Sequence, residues 1–170
     1  MDATSTVKTV LITGCSSGIG FCLAHGLRSA GYRVFATARK EKDIIKLKEL
    51  GFEVFLLDLA SSSSIKTAIS ELYQKTDSLY ALINNGAYGQ VGALEDISRE
   101  TLEKQFQVNV FGWHELTNLV LQSMKERNIG RVIYISSVLG FVAMPFRGPY
   151  VATKFAIEGL VDTLRLELKQ

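Results

Sequence analysis

An apolar run that ends on three spaced glycines, Val10-Leu11-Ile12-Thr13-Gly14-Cys15-Ser16-Ser17-Gly18-Ile19-Gly20, constrains this chain more than any other stretch. Branched and apolar residues without polar alternation make a strand buried on both faces. The glycines then bring the chain round a tight turn and into a helix. Gly14 supplies the turn, Gly18 lets backbone approach a ligand, and Gly20 lets the helix lie close on the strand. A helix begun in this way presents its first amides, and the positive end of its dipole, to an anion. Gly14, Ser16, Ser17, Gly18, Ile19 and Gly20, spaced as G-x-x-x-G-x-G, are the candidate cradle for the pyrophosphate of a dinucleotide.

The rest of the chain repeats the strand-to-helix unit. Strands are predicted at Val7 to Thr13, Arg33 to Ala38, Phe52 to Leu57, Leu79 to Asn84 and Arg131 to Ser136. Helices are predicted at Ile19 to Ala30, Glu41 to Leu50, from the capping serines Ser61 to Ser64 to about Thr76, from Arg99 to Arg127, and from Pro149 to the end. Short apolar strands alternating with helices imply an α/β, Rossmann-like, doubly wound parallel sheet with helices on both faces, in one domain spanning 1–170.

Composition narrows the function. A net charge of +2 on 170 residues is too small for a nucleic-acid or membrane-surface role. Met1 to Thr6 are polar, with no signal-peptide core, and no apolar run is long enough to span a bilayer, so a cytoplasmic protein is expected. Cys15 and Cys22 fit no metal or redox spacing and read as free thiols, Cys15 in the glycine loop within reach of an oxidant. His25 and His114 are isolated and placed on helix surfaces, so no metal site is assigned.

In a doubly wound sheet the ligand lies beyond the carboxyl ends of the strands. The second strand ends in Ala38-Arg39-Lys40, with no carboxylate to hold a ribose 2′-hydroxyl. A basic group there accommodates a 2′-phosphate, so NADP(H) is expected over NAD(H). After the third strand come Asp58 and Leu59, where the carboxylate of Asp58 could accept from the adenine amino group. After the fourth come Asn85, Gly86 and Ala87, small enough to admit a ribose against the backbone.

The last helix opens with Tyr150-Val151-Ala152-Thr153-Lys154, which puts a phenol and an ammonium one turn apart on one face. At about 4 Å and an effective dielectric of about 20, an ammonium stabilises a phenolate by about 4 kcal/mol. Such a pair can give a proton to a ketone oxygen or take one from an alcohol. Ser137, thirteen residues before Tyr150, could hydrogen-bond the same oxygen, and its spacing is preferred to that of Ser136. Asn109 interrupts an apolar helical stripe of Leu102, Phe106, Trp113, Leu116 and Val120 and should face inwards, where a catalytic water is one partner for a buried amide.

Thr13 to Gly20, Asp58-Leu59, Asn84-Asn85, Asn109, Ser137, Tyr150 and Lys154, in that order and spacing, resemble the short-chain dehydrogenase/reductase family, in the branch marked by T-G-x-x-x-G-x-G. The resemblance implies a tetrad. Tyr150 would be the general acid/base and Ser137 the anchor of the substrate oxygen. Lys154 would hold the nicotinamide ribose and tune the tyrosine, and Asn109 would keep a proton-relay water. In NADP-preferring relatives, residues matching Ser17 and Arg39 meet the 2′-phosphate. Relatives also pair through helices matching 99–127 and 149–169, so a homodimer or homotetramer is implied.

Two departures stand out. The family's Asn-Asn-Ala-Gly reads Asn84-Asn85-Gly86-Ala87 here, which implies altered loop geometry with binding retained. The chain also stops at Gln170, where family members continue with two more strands, so a fragment of a longer enzyme is expected, with weak turnover on its own.

Phe141, Val142, Met144, Pro145 and Phe146 border the reacting group, with Arg147 the one charge and Tyr88 and Gln90 on the opposite rim. The segment is similar to that of steroid and retinol dehydrogenase-like members. Phe141 and Met144 are the candidate contacts to a hydrophobic carbonyl or alcohol substrate. The competing readings are a non-catalytic NADP-binding redox sensor and an inactive fragment occupying a partner's interface.

Overall fold

The computed structural model describes residues 7–169. Met1 to Thr6, and the expectations placed on them, lie outside the described residues, as does Gln170. β1 (Thr9–Ile12) is buried at every position, as an unalternating apolar run demands. β2 (Arg33–Ala38) pairs with β1 and with β3 (Glu53–Leu56). On the other side β4 (Ala81–Asn84) pairs with β1 and with β5 (Arg131–Tyr134). Every pairing is parallel and the order is β3-β2-β1-β4-β5, the expected doubly wound sheet. The winding reverses between β1 and β4, which opens a crevice beyond their carboxyl ends.

The helices are α1 (Gly18–Ser29), α2 (Glu41–Glu49), α3 (Ser62–Lys75), α4 (Arg99–Phe106), α5 (Gly112–Glu126) and α6 (Gly148–Glu167). Strand side chains alternate between faces, and the register aligns them into two rows. Leu11 lies beside Phe35 and Leu82, and this row packs with Ile65, Leu72, Trp113 and Ile157 from α3, α5 and α6. Val10 and Ile12, beside Val34 and Ala36, pack with Ala24 of α1 and with Ile44 and Leu47 of α2. Each valine, leucine, isoleucine or phenylalanine fully buried in these rows contributes about 1.5–3 kcal/mol. The expected caps form: Ser61 accepts from the Ser64 amide at 3.3 Å, and Pro149 stands in the first turn of α6.

Three expectations are corrected. The helix predicted from Arg99 to Arg127 is broken by a π-helical turn at Gln107–Phe111, between α4 and α5. The turn inserts backbone into the helical ladder, so Gln105 and Asn109 face inwards while Leu102 and Phe106 are only half-buried. His25 is half-buried and not free on the helix surface; it is wedged between the rings of Phe21 and Phe52, at 4.5 and 4.8 Å. Cys15 is fully buried, its Sγ 3.3 Å from the Ile12 carbonyl, and burial pushes the thiol up to about 12. An oxidant meets Cys22, which is exposed, and not Cys15.

Candidate active site

The tips of β1 and β4 are locked together. Thr13 Oγ1 accepts from the amides of Asn85 and Gly86, both at 2.8 Å, and the Asn85 amide donates to the carbonyls of Thr13 and Gly14 at 2.9 and 3.2 Å. Gly14 has φ +70°, and a Cβ on it would stand 2.6 Å from Gly86 Cα. The exchange of Gly and Ala after Asn85 therefore puts the residue without a side chain where two backbones meet. Asn84 points the other way, donating to Thr117 Oγ1 at 3.0 Å in the core. Gly18, at φ +58°, has open space where a Cβ would stand, at the start of α1.

Beside this cradle lies a cleft of about 410 Å³ lined by Thr37, Arg39, Asp58 and Leu59 together with Gly14 and Ser16. Asp58 Oδ1 accepts from the Ala60 amide at 2.9 Å, which fixes the carboxylate at the cleft wall. Thr37 Oγ1 is buried without a partner. A polar atom of that kind costs free energy unless something supplies a hydrogen bond. The open position at Gly18, the first amides of α1 and the orphaned Thr37 hydroxyl fit a phosphate-bearing dinucleotide. Ser17, at the start of α1, makes no side-chain cap and is exposed.

A second cleft, of about 510 Å³, shares Ala87 and Tyr88 with the first, so the two form one trough from Arg39 to Tyr150. Ile19, Asn85, Met144, Arg147 and Lys154 also line it. Tyr150 lies against the backbone of Gly89, where a Cβ would stand 3.4 Å from the ring. Lys154 is buried beneath it. Its Nζ donates to the Ile135 carbonyl at 2.8 Å and lies 4.5 Å from the Trp113 ring centroid and 5.5 Å from that of Tyr150. Burial brings this lysine down to about 8, with the Glu158 carboxylate acting against the fall.

That shift has a consequence for stability. A depressed lysine loses its proton in the folded state first, so between about 8 and the ordinary 10.5 the unfolded chain holds the extra proton. Stability therefore rises with pH through this window, by about 3 kcal/mol in all. Urea unfolding of the wild type minus that of Lys154→Met, followed across the window, is expected to show this rise. A flat difference would mean that the folded state keeps its ammonium.

Asn109 and Gln105, one turn apart, grip the rim of the trough. Asn109 Oδ1 accepts from the Tyr88 amide at 3.2 Å, and its Nδ2 donates to the Tyr88 carbonyl at 2.8 Å and to Thr153 Oγ1 at 3.2 Å. Gln105 donates to the Tyr88 carbonyl and accepts from the Gln90 amide, both at 2.6 Å. Asn109 thus spends its side chain on the backbone that carries Gly89 to Tyr150. Sequence reasoning missed Gln105; its only signal was an amide four residues before Asn109. Ser137 caps the short turn Val138–Gly140, its hydroxyl accepting from the Leu139 amide at 3.1 Å. The cleft wall is supplied by Ser136 and Leu139 on either side of it, and Phe141 is exposed beyond the rim. Among the described residues no cluster of His, Cys, Asp or Glu could hold a metal, and no helix is long and apolar enough to cross a membrane.

A family model for short chain dehydrogenase matches residues 8–170. The uncharacterized oxidoreductase YbbO of Escherichia coli (strain K12) is 44% identical over 163 residues, which are 95% of this chain and 61% of that protein. Retinol dehydrogenase 8 of Homo sapiens is 38% identical over 173 residues, 96% of this chain and 55% of its own length. Among solved structures, the F189W actinorhodin polyketide ketoreductase with NADPH superposes with a TM-score of 0.90 at 30% identity, covering 98% of this chain and 67% of that one. The chain spans little more than half the length of these curated relatives, 61% and 55%.

Proposed function

Because the chain belongs to the short chain dehydrogenase family, we propose that its residues bind NADP(H) and carry the reacting groups of an oxidoreductase that interconverts a ketone or aldehyde with an alcohol. The observation that carries this reading is the single trough that joins the glycine cradle to Tyr150 and Lys154. The NADPH found with the polyketide ketoreductase relative supports it.

The cofactor, when bound, supplies a hydride to the carbonyl carbon or takes one from the carbinol. The chain does the rest. The start of α1 holds the pyrophosphate, Asp58 and Leu59 border the adenine, and Arg39 pairs with the 2′-phosphate. Asn85, Gly86 and Ala87 admit the ribose near the nicotinamide, and Lys154 holds its hydroxyls. Tyr150 gives its proton to the carbonyl oxygen as charge develops there, and Ser137 hydrogen-bonds that oxygen. Asn109 fixes the Tyr88–Gly89 backbone against the phenol. Met144 and Phe141 offer an apolar surface to the substrate. Phe111 on the π-helical turn, with Phe155 and Leu160 on α6, is exposed, which supports pairing of two copies through these helices.

The test is NADPH oxidation by the purified chain with a panel of apolar ketones and aldehydes. Binding of NADPH without oxidation by any of them would favour the non-catalytic sensor instead. One observation favours that second reading: Ser136 and Leu139 line the cleft beside Tyr150, and Ser137 is not among its lining residues. Cofactor choice is tested separately. Arg39→Leu is expected to weaken NADPH by about tenfold to a hundredfold, the loss of a charge-assisted bond, and to leave NADH affinity as it was. An equal loss for both cofactors would remove the argument for NADP.

A further inference from the structure

Resting on the reading of the Tyr150 cleft as the reaction site, we propose that its substrate carries a carboxylate, which Arg147 holds while the carbonyl faces Tyr150. The geometry comes from Gly89. Tyr150 Cδ2 lies 3.4 Å, and Arg147 Nη1 3.7 Å, from the point where a Cβ on Gly89 would stand. A ligand resting on that glycine touches both the phenol ring and the guanidinium.

Charge supports the same conclusion. The cleft is lined by two cations, Arg147 and Lys154, and by no carboxylate. Lys154 is buried, with one donor on the Ile135 carbonyl, and its remaining donors are assigned above to the ribose of the cofactor. Arg147 makes no ion pair and no side-chain hydrogen bond among the described residues. The contrast with the other arginines is sharp. Arg33, Arg99 and Arg165 bind carboxylates, and Arg28, Arg127 and Arg131 bind backbone carbonyls. Only Arg39 and Arg147 have unclaimed guanidinium groups among the described residues, and both line the trough. Arg39 stands where the cofactor's extra phosphate belongs, which leaves Arg147 for an anion on the substrate.

The backbone leading into Arg147 is strained. Phe146, directly before it, sits at φ +61°, a conformation that a bulky side chain adopts only when its surroundings impose it. The Gly92 amide, donating to the Phe146 carbonyl at 3.1 Å, is one such restraint. A single planar guanidinium suits a monoanion it can grip with two parallel bonds, as it does a carboxylate. Leu139 and Met144 line the same cleft and suit an apolar remainder. The substrate class is therefore an oxo acid, or the matching hydroxy acid, with an apolar chain.

The test uses a matched pair, γ-oxodecanoate and γ-oxodecanamide, which share the carbonyl and the chain and differ in the anion. With saturating NADPH the wild type is expected to favour the acid by about tenfold or more in kcat/KM, and Arg147→Met to lose that preference while Arg147→Lys keeps part of it. Equal use of acid and amide by the wild type would overturn the carboxylate site and leave the oxidoreductase reading standing. If neither compound is reduced, nor any ketone or aldehyde of the wider panel, the reading of the cleft as a reaction site fails. Calorimetric titration of γ-oxodecanoate into the NADPH complex then decides: binding weakened about tenfold in Arg147→Met upholds the anion site, and absent or unchanged binding overturns it. A loss of NADPH affinity in Arg147→Met, with acid selectivity intact, would assign the guanidinium to the cofactor and overturn the proposal too.

Discussion

Tyr150→Phe is expected to slow NADPH-driven carbonyl reduction by about 10²–10⁴-fold, the usual contribution of a positioned proton donor. That corresponds to about 3–5 kcal/mol of transition-state stabilisation. The substitution isolates the hydroxyl cleanly. The ring's contact with Gly89 does not involve the oxygen, and the hydroxyl has no partner in the protein among the described residues, so the fold loses nothing. NADPH affinity should fall by tenfold at most, because one neutral hydrogen bond is worth about 0.5–1.5 kcal/mol and the cradle and Lys154 remain. Absorbance of the reduced nicotinamide gives turnover, its fluorescence gives binding, and thermal unfolding checks the fold. A redox sensor would show no change in any of the three. A variant that keeps more than about a tenth of wild-type turnover would strip Tyr150 of its acid/base role.

The sheet was readable because burial on both faces leaves a local mark. Thr9 to Ile12, Arg33 to Ala38 and Ala81 to Asn84 are short, apolar and unalternating, and nothing but a covered parallel strand fits them. The glycines of the first loop were readable for a related reason, since each meets a backbone demand that no other residue meets. The break in the helix after Phe106 was not. It depends on Gly112 lying on the carbonyl of Leu59, where a Cβ would stand at 2.1 Å, and that contact joins residues 53 apart in the sequence. A helical wheel drawn on an unbroken helix finds Asn109, Trp113, Leu116 and Val120 on the buried face, but it misses Gln105 and places Leu102 and Phe106 deeper than they lie. The same holds for Ser137. Spacing placed it beside Tyr150, while the amide that engages its hydroxyl belongs to a turn that no periodicity announces.

Two alanines in α1 should move stability in opposite directions. Gly20→Ala is expected to cost about 2–4 kcal/mol, which for a chain of this size lowers Tm by about 5–15 °C. Its Cβ would stand 2.4 Å from the Gly14 carbonyl oxygen and 2.5 Å from Asn85 Nδ2. Neither atom can give way. The Asn85 amide is held by two carbonyls, and Gly14 already lies against Gly86. Relief must come from lifting α1 off β1, which also moves the amides that face the phosphates, so NADPH binding should weaken along with Tm. Gly26→Ala, six residues on in the same helix, meets nothing within 4 Å and sits on the exposed face. There the added methyl only narrows the unfolded ensemble, and a gain of about 0.5–1 kcal/mol is expected. The contrast within one helix separates close packing at the cradle from general helix propensity. If Gly20→Ala unfolds at the wild-type temperature and binds NADPH as tightly, the loop yields, and the rigid cradle on which the trough depends is not there.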